Sequence, residues 1–305
     1  MLDGTNAFSA PGRWLKGALH IHTTASDGKV TADEAAAFYR RQGFDFIALT
    51  DHWRITQLAR PAPDGLTVIP GIEWDANSRQ EAKWWHLVAL LPESADAPRG
   101  FRPAPLFEWA ARHTPFLILA HPNWSNLCGE DLRAFPGVHA IEVFNTGCEM
   151  ELCRGHAEYP WDYALGHLVP LNGVAADDCH WRRADAGRAW VMVKAEANTP
   201  EAIIAALRGG LFYSSTGVEI HQFRRDGSYF QVQCSPASII KFMCRSYAGD
   251  FAQAKTGEFI TEARFELRGG ETYLRVEIVG PQGDQAWTNP VFIARKARTP
   301  DAAAQ

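Results

Sequence analysis

The sequence has no basic stripe, no CxxC pair, no long apolar run, and no internal repeat or low-complexity linker. Each absence removes a class of explanation. The 305 residues carry a formal net charge of -5 with no clustered Lys or Arg, which argues against a long nucleic acid as partner. A mononucleotide or another small anion stays open, because metal ions can supply positive charge locally. No apolar run approaches the roughly 20 residues that cross a bilayer, so no membrane partner is expected. The opening MLDGTNAFSAPGRW lacks a basic stretch followed by an apolar core, so no signal peptide is expected. The six cysteines (Cys128, Cys148, Cys153, Cys179, Cys234 and Cys244) show no disulfide framework; reduced thiols in a cytoplasmic protein are the simplest reading. The oligomeric state is not legible.

What is present is enough apolar material, 46% of residues, for one large domain or a medium domain plus a small one. Short apolar runs alternate with helical stretches. Leu15 to Ile21, Phe46 to Leu49, Leu66 to Ile72, Leu87 to Leu91, Phe116 to Leu119, Ala140 to Phe144, Leu168 to Val174 and Trp190 to Val193 read as strands. Thr31 to Gln42 reads as a helix with a capping box, Thr31 with Glu34. Further helices are expected from Ala104 to His113, from Glu151 to Leu165, and from Thr199-Pro200-Glu201 to Gly209-Gly210. This alternation predicts an α/β fold with a parallel sheet, closed into a barrel, with chemistry at the C-terminal strand ends. Near Gly217 the period changes to two, and Asp226-Gly227 and Gly269-Gly270 read as hairpin signals. Residues 217–295 are therefore expected to form a small antiparallel β domain, with 296–305 as a frayed tail.

The chemistry lies where the strands end. The first delivers His20 and His22, which at spacing two project from one side. Asp27 follows. Other strands end in Asp51-His52, Glu73, His121 and the run Asp177-Asp178-Cys179-His180, while His86 begins the strand HLVALL. A lone His or Asp at a strand end is usually a turn former or a satisfied polar group. So many in one alternating region point to metal ligation, because imidazole and carboxylate are the donors that zinc, manganese and iron accept.

The segments LHIHTTASDG, ALTDHW, IPGIEW, HLVALL, LAHPNW and DDCHW resemble the PHP superfamily, named for polymerase and histidinol phosphatase, over about residues 14–216. The stretches LFYSSTGVEI, CSPASI and AWTNPVFI are similar to the extension of one bacterial branch of predicted PHP phosphoesterases, itself similar to carbaryl-hydrolase-like PHP enzymes. The resemblance implies a distorted (β/α)7 barrel over residues 1–216, acting as a hydrolase domain with two or three divalent metal ions (Mn, Fe or Zn). By motif, His20, His22, Glu73 and Asp178 would hold a first metal. Glu73 would bridge to a second, shared with His86 and His121. Asp27, His52 and His180 would take a third. The DxH motif fits Asp177 only at the wrong spacing, so Asp178 is assigned.

The implied activity is hydrolysis of a small phosphorylated metabolite or nucleotide by a hydroxide bridging the metals, with Asp27, Asp178 or His180 as candidates for moving protons. Cleavage of a carbamate, ester or amide at the same site is the alternative, and a polymerase-associated or non-catalytic module is a third reading. Trp53, Trp74, Trp84, Trp85, Trp124 and Trp181 flank the candidate ligands, and Trp53 and Trp124 are candidates to wall the pocket against a flat substrate. Outward packing against helices is the equal alternative. Arg182 and Arg183 are candidate phosphate contacts, against the commoner surface role. Asn123 and Asn145 are candidates to orient substrate or ligands, with turn and cap roles as alternatives. His113, His139, His156, His167 and His221 fit no ligand motif, and Cys179 reads as a packing residue.

Overall fold

A computed structural model of the chain describes residues 6–78, 82–134 and 137–293. The elements before Gly217 run β1 (Arg13–Ala18), α1 (Ala32–Arg41), β2 (Phe46–Leu49), β3 (Thr67–Ser78), β4 (Lys83–Leu90), α2 (Pro103–His113), β5 (Phe116–Leu119), α3 (Gly129–Arg133), β6 (Ala140–Asn145), α4 (Thr146–Leu152), α5 (Glu158–Gly166), β7 (Asn172–Ala176), β8 (Trp190–Ala195), α6 (Pro200–Arg208) and β9 (Phe212–Ser215). After it come β10 (Ile220–Asp226), β11 (Tyr229–Ala237), β12 (Ile239–Met243), β13 (Asp250–Gln253), β14 (Ile260–Glu266), β15 (Tyr273–Val279), β16 (Gln285–Thr288) and β17 (Val291–Phe292).

The short apolar runs form strands buried on both faces. In β2, Phe46 and Ala48 enter one core while Ile47 and Leu49 enter another. β5 divides in the same way, Phe116 and Ile118 against Leu117 and Leu119. Period-two geometry forces this split, and it explains why such strands are uniformly apolar. The helix α1 starts at Thr31, whose side chain accepts from the Glu34 backbone while Glu34 reaches back, the capping box expected. Its apolar side, Ala35, Ala36 and Tyr39, packs on β1 and β2.

The sheet is mixed rather than purely parallel. Its order is β13-β12-β15-β16-β9-β8-β1-β2-β3-β4-β5-β6-β7. The parallel pairs are β1 with β2, β2 with β3, β5 with β6, and β6 with β7; β4 is antiparallel to both neighbours, as is β8. The expected strands around Ile72 and Leu87 belong to one long hairpin, β3 and β4, in which Gly71 faces Leu90 and Ser78 faces Lys83. A connection that short cannot make the crossover a parallel pair needs. No ladder closes β7 onto β1 among the described residues, but two backbone hydrogen bonds tie the segments beyond them: Asp178 N–H to His20 O, 3.0 Å, and His22 N–H to Cys179 O, 3.2 Å. Ser214 adds a side-chain tie, donating to Gly173 O at 2.8 Å and accepting from Ala175 N–H at 3.0 Å.

Three local expectations are corrected. The helix expected over Glu151 to Leu165 is two helices, α4 and α5, because Cys153 takes a left-handed conformation with φ 54°. The strand expected from Leu168 starts only at Asn172; Leu168 is itself left-handed (φ 63°), and Pro170 has no N–H to donate. Gly269-Gly270 is not a hairpin turn, since β14 pairs with β11 in a separate sheet while β15 pairs with β12 and β16. Asp226-Gly227 does join the hairpin of β10 and β11.

The strands after Gly217 bury a core of Phe223, Phe230, Val232, Ile240, Phe242, Phe265, Val276 and Ile278. The large sheet runs into them through β9 and β16, with Ser214 opposite Trp287. No helix among the described residues is long and apolar enough to cross a membrane. The tail expected at 296–305 lies outside the described residues.

A buried clasp joins β15 to α5. Arg275 is fully buried, its guanidinium grips Asp162 at 2.7 and 2.6 Å, and it lies 4.6 Å from the Trp161 ring. Removing one partner of such a pair strands the other charge. Asp162→Ala is expected to destabilise the protein by about 3 kcal/mol, read as a lower midpoint of urea unfolding. A midpoint equal to wild type would show that Glu277, 3.4 Å away, suffices for Arg275.

Candidate metal centre

Beyond the C-terminal end of β1, His20 and His22 are both fully buried and share one direction. Their Nε2 atoms lie 3.1 Å apart. Glu73, in the middle of β3, meets both with Oε2, at 3.2 Å from His20 and 3.1 Å from His22. Asp178, just past β7, brings Oδ1 to 3.3 and 3.2 Å from the same two atoms. Asp177 faces elsewhere: it accepts from the Tyr39 hydroxyl at 2.6 Å and from the Gly187, Arg188 and Ala189 amides, and so anchors the loop after His180.

The second Glu73 oxygen, Oε1, lies 2.8 Å from His86 Nδ1 and 3.5 Å from His121 Nε2. His52 Nδ1 is 3.3 Å from Oε2 yet is not aligned for a hydrogen bond, so it is a buried polar atom with no such partner. Asp27 lies 3.2 Å from His180 Nε2 and 3.7 Å from His22 Nδ1. His180 Nδ1 meets the carbonyl of Asp178 at 3.0 Å; a carbonyl only accepts, so Nδ1 donates there and Nε2 is the atom turned toward Asp27.

Potential ligand atoms therefore gather in three overlapping groups: His20, His22, Glu73 and Asp178; His52, Glu73 and His86; and His22, Asp27, His52 and His180. All nine expected ligand positions lie together. The partition differs from that implied by the motifs, since His22 also approaches the third group and His52 the second. His121 stands just outside the compact sets, 4.0 Å from Asp178.

The electrostatics are those of a cation site. Burial opposes a charged His20, but Asp178, Glu73 and Glu142 outweigh it and raise its pKa well above the usual imidazole value. His22 is lifted to about 9 against burial by its hydrogen bonds to Asp178 and Glu73. Burial would raise the Glu73 pKa, yet His20 and His86 hold it well below the ordinary range. Asp178 is likewise lowered despite its burial, chiefly by His20 and His22. The carboxylates thus stabilise positive charge at this point, whether protons or a metal carry it. Two imidazole nitrogens and two carboxylate oxygens converging out of solvent, beside the orphaned His52 Nδ1, match what a divalent transition metal accepts.

Local backbone strain accompanies the site. Trp53 (φ 54°), His121 (φ 30°), Asp178 (φ 49°) and Trp181 (φ 62°) are all left-handed, and each is, or adjoins, a candidate ligand. Gly28 permits the tight loop that carries Asp27, because a Cβ there would meet the His22 carbonyl oxygen at 2.6 Å.

Asp27, His52, Glu73, His86, His121, Asp178 and His180 line a cavity of 490 Å³ together with Trp124, Gly147, Cys148, Glu151, Arg182, Arg183 and Asp185, whereas His20 and His22 lie behind its wall. Of the expected substrate contacts, Trp124, Arg182 and Arg183 reach it. Arg182 pairs with Asp27 at 3.1 Å, and Arg183 donates to the Met150 carbonyl. Trp53 is not a lining residue; its indole donates to Asp75 and its ring lies under Arg99. Asn123 is exposed and does not line the cavity either. Asn145 does not line the cavity: its amide donates to Glu142 and Asp178, and its oxygen caps α4 through Cys148 N–H. Trp74 and Trp85 are buried in the core, and Trp181 packs on Phe38 while donating to His22 O. Cys179 is buried against Tyr39.

Glu142, fully buried in β6 and in contact with His20, was not singled out from the sequence. The signal was present: an acid inside the apolar run Ala140 to Phe144 has no place unless something pairs with it. Asp185, whose Oδ2 accepts from His180 N–H at 3.1 Å, was also missed.

No family model matches the chain, and no curated protein matches it. Among solved structures it is similar to a two-domain protein from Bacteroides vulgatus containing a predicted PHP-like metal-dependent phosphoesterase. The identity is 15%, covering 95% of this chain and 98% of that one, with a TM-score of 0.50. At that identity the likeness shows a shared fold, consistent in extent with the whole chain and not only its first two thirds. An amidohydrolase from Chromobacterium violaceum, with sulfate bound and no metal, is 16% identical over 56% of this chain and 89% of its own, with a TM-score of 0.39.

Chelator-stripped protein is expected to gain thermal stability on adding Mn or Zn, since a cation at 100 times its Kd contributes about 2.7 kcal/mol, worth several degrees in Tm. Glu73→Ala removes the carboxylate that faces five imidazoles and is expected to abolish the gain. An equal Tm shift in this variant would refute the cluster as the binding site.

Proposed function

We propose that this chain is a metal-dependent hydrolase that cleaves a phosphoric ester of a small metabolite or nucleotide. The observation that carries the reading is the convergence of His20, His22, Glu73 and Asp178, of which Glu73 and Asp178 line a cavity. His20, His22, Glu73 and Asp178 would hold one cation. Glu73, His86 and His121, with His52 beside them, would hold a second, and Asp27, His52 and His180 a third; Mn, Fe and Zn all suit these donors. Such cations, when bound, acidify water and offset negative charge on an ester undergoing attack.

The chain's own residues contribute the rest. Asp27, Glu73, Glu151, Asp178 and Asp185 all line the cavity, so its unmetallated wall repels an anion. Arg182 and Arg183 are the cationic side chains on that wall, and their forked donors match phosphate oxygens. This favours a phosphoryl over a neutral carbonyl substrate. Trp124, set in T-shaped contact with His86 and His121 with ring centroids 5.9 and 5.0 Å away, offers an apolar wall for the part of the substrate that does not react. At the rim, His180 Nε2 and Asp27 Oδ2, 3.2 Å apart, can pass a proton between them. The deeper Asp178, buried and held ionised, is placed to bind rather than to release a proton.

Metal-loaded protein is expected to hydrolyse p-nitrophenyl phosphate in preference to p-nitrophenyl acetate, and Arg182→Ala with Arg183→Ala to raise KM for the phosphate about tenfold or more, as losing a charged hydrogen bond of about 1.5 to 3 kcal/mol implies. Preference for the acetate would move the assignment to carbonyl chemistry. Absence of both activities, across a screen of phosphorylated metabolites with Mn, Fe and Zn, would overturn the enzyme reading.

A further inference from the structure

Glu142 is not among the residues lining the cavity and belongs to none of the three ligand groups, yet each hydrogen bond it accepts leads to a candidate ligand. Its Oε1 lies 2.6 Å from His20 Nδ1. Its Oε2 accepts from the backbone N–H of His121 at 2.8 Å and from Asn145 Nδ2 at 2.7 Å. That same Asn145 nitrogen reaches Asp178 Oδ2 at 3.2 Å. One fully buried carboxylate therefore touches, directly or through one amide, three candidate ligands that arrive on three different strand ends.

We propose that Glu142 is the positioning residue of the metal centre, holding His20 in the Nδ1–H tautomer and fixing His121 and Asp178 in register with it. The proposal rests on the metal reading above. An ionised carboxylate only accepts, so the hydrogen bond to His20 places the proton on Nδ1. When a cation is bound, Nε2 is then the lone pair aimed at the point that His22, Glu73 and Asp178 also face. The opposite tautomer would put a proton where the cation must sit. The second oxygen restrains His121, whose left-handed backbone (φ 30°) a side chain rarely adopts unaided. Such outer partners raise the basicity of a ligating imidazole and lock its ring.

Glu142→Gln separates this role from simple packing because the shape is kept and the donor pattern is not. The three groups around Glu142 are all donors. A glutamine has one accepting oxygen and one donating nitrogen, so it must face a donor with a donor, or force the His20 proton onto Nε2. The full-length variant is expected to bind Mn or Zn about 10- to 100-fold more weakly in a competitive chelator titration, with its thermal melt in chelator close to that of the wild type. Affinity within twofold of wild type would overturn the proposal. Should the variant fail to fold, neutron diffraction from zinc-loaded wild-type crystals decides the matter: deuterium on Nδ1 of His20 supports it, and any other placement refutes it. A wild type that binds no cation removes the metal reading and this proposal together, whereas equal binding by both proteins removes this one alone.

Discussion

The mutual proximity of His20, His22, Glu73 and Asp178 is the constraint from which the rest of the molecule follows. Two imidazole nitrogens and two carboxylate oxygens packed within a little over 3 Å, away from solvent, are stable only with positive charge among them. Every neighbouring feature serves that requirement. Glu73 sits mid-strand, where its backbone is pinned on both sides, so that each of its oxygens can meet a different set of imidazoles. Asp177 turns away and secures the loop after His180 instead of adding another negative charge to the cluster.

The scaffold suits this demand because its strands are short and buried on both faces. A strand such as β2 or β5 has no polar side to spend on solvent, so the first residues free to be polar are those at its end. That is where His52 and His121 lie. The mixed sheet matters as well. A long antiparallel excursion of β3 and β4 lets one element supply Glu73 and its partner strand supply His86, which two separate parallel strands would deliver from more distant points.

Much of this was legible in the chain itself, for a physical reason. Histidine and acidic residues at the ends of apolar runs break the expected pattern visibly, and His20, His22, Asp27, His52, Glu73, His86, His121, Asp178 and His180 all stand out in that way. Glu142 was harder, because it interrupts a run instead of ending one, and a single letter within AIEVF is read as noise. The tryptophans were undecidable: being next to a ligand fixes neither face nor depth, and only Trp124 among them lines the cavity. Strand direction was also hidden. The residues between Ile72 and Leu87 look polar enough for a loop, so the hairpin that makes β4 antiparallel left no clear trace. The split of α4 from α5 depends on a left-handed Cys153, a residue type that gives no warning of that conformation.

The position of β1 in the sheet bears on how the protein comes into being. β1 lies between β2, its near neighbour in sequence, and β8, whose residues 191–195 lie far along the chain. The segment after β1 is joined to residues 178 and 179 by backbone hydrogen bonds. During synthesis His20 and His22 therefore wait, with one flank of their segment unpaired, until residues 178 and 179 and then 191–195 have been made. Contacts so distant in sequence form slowly. A site that needs His20 and Asp178 together is thus complete only after those distant contacts form, and would not be the seed around which the chain first collapses.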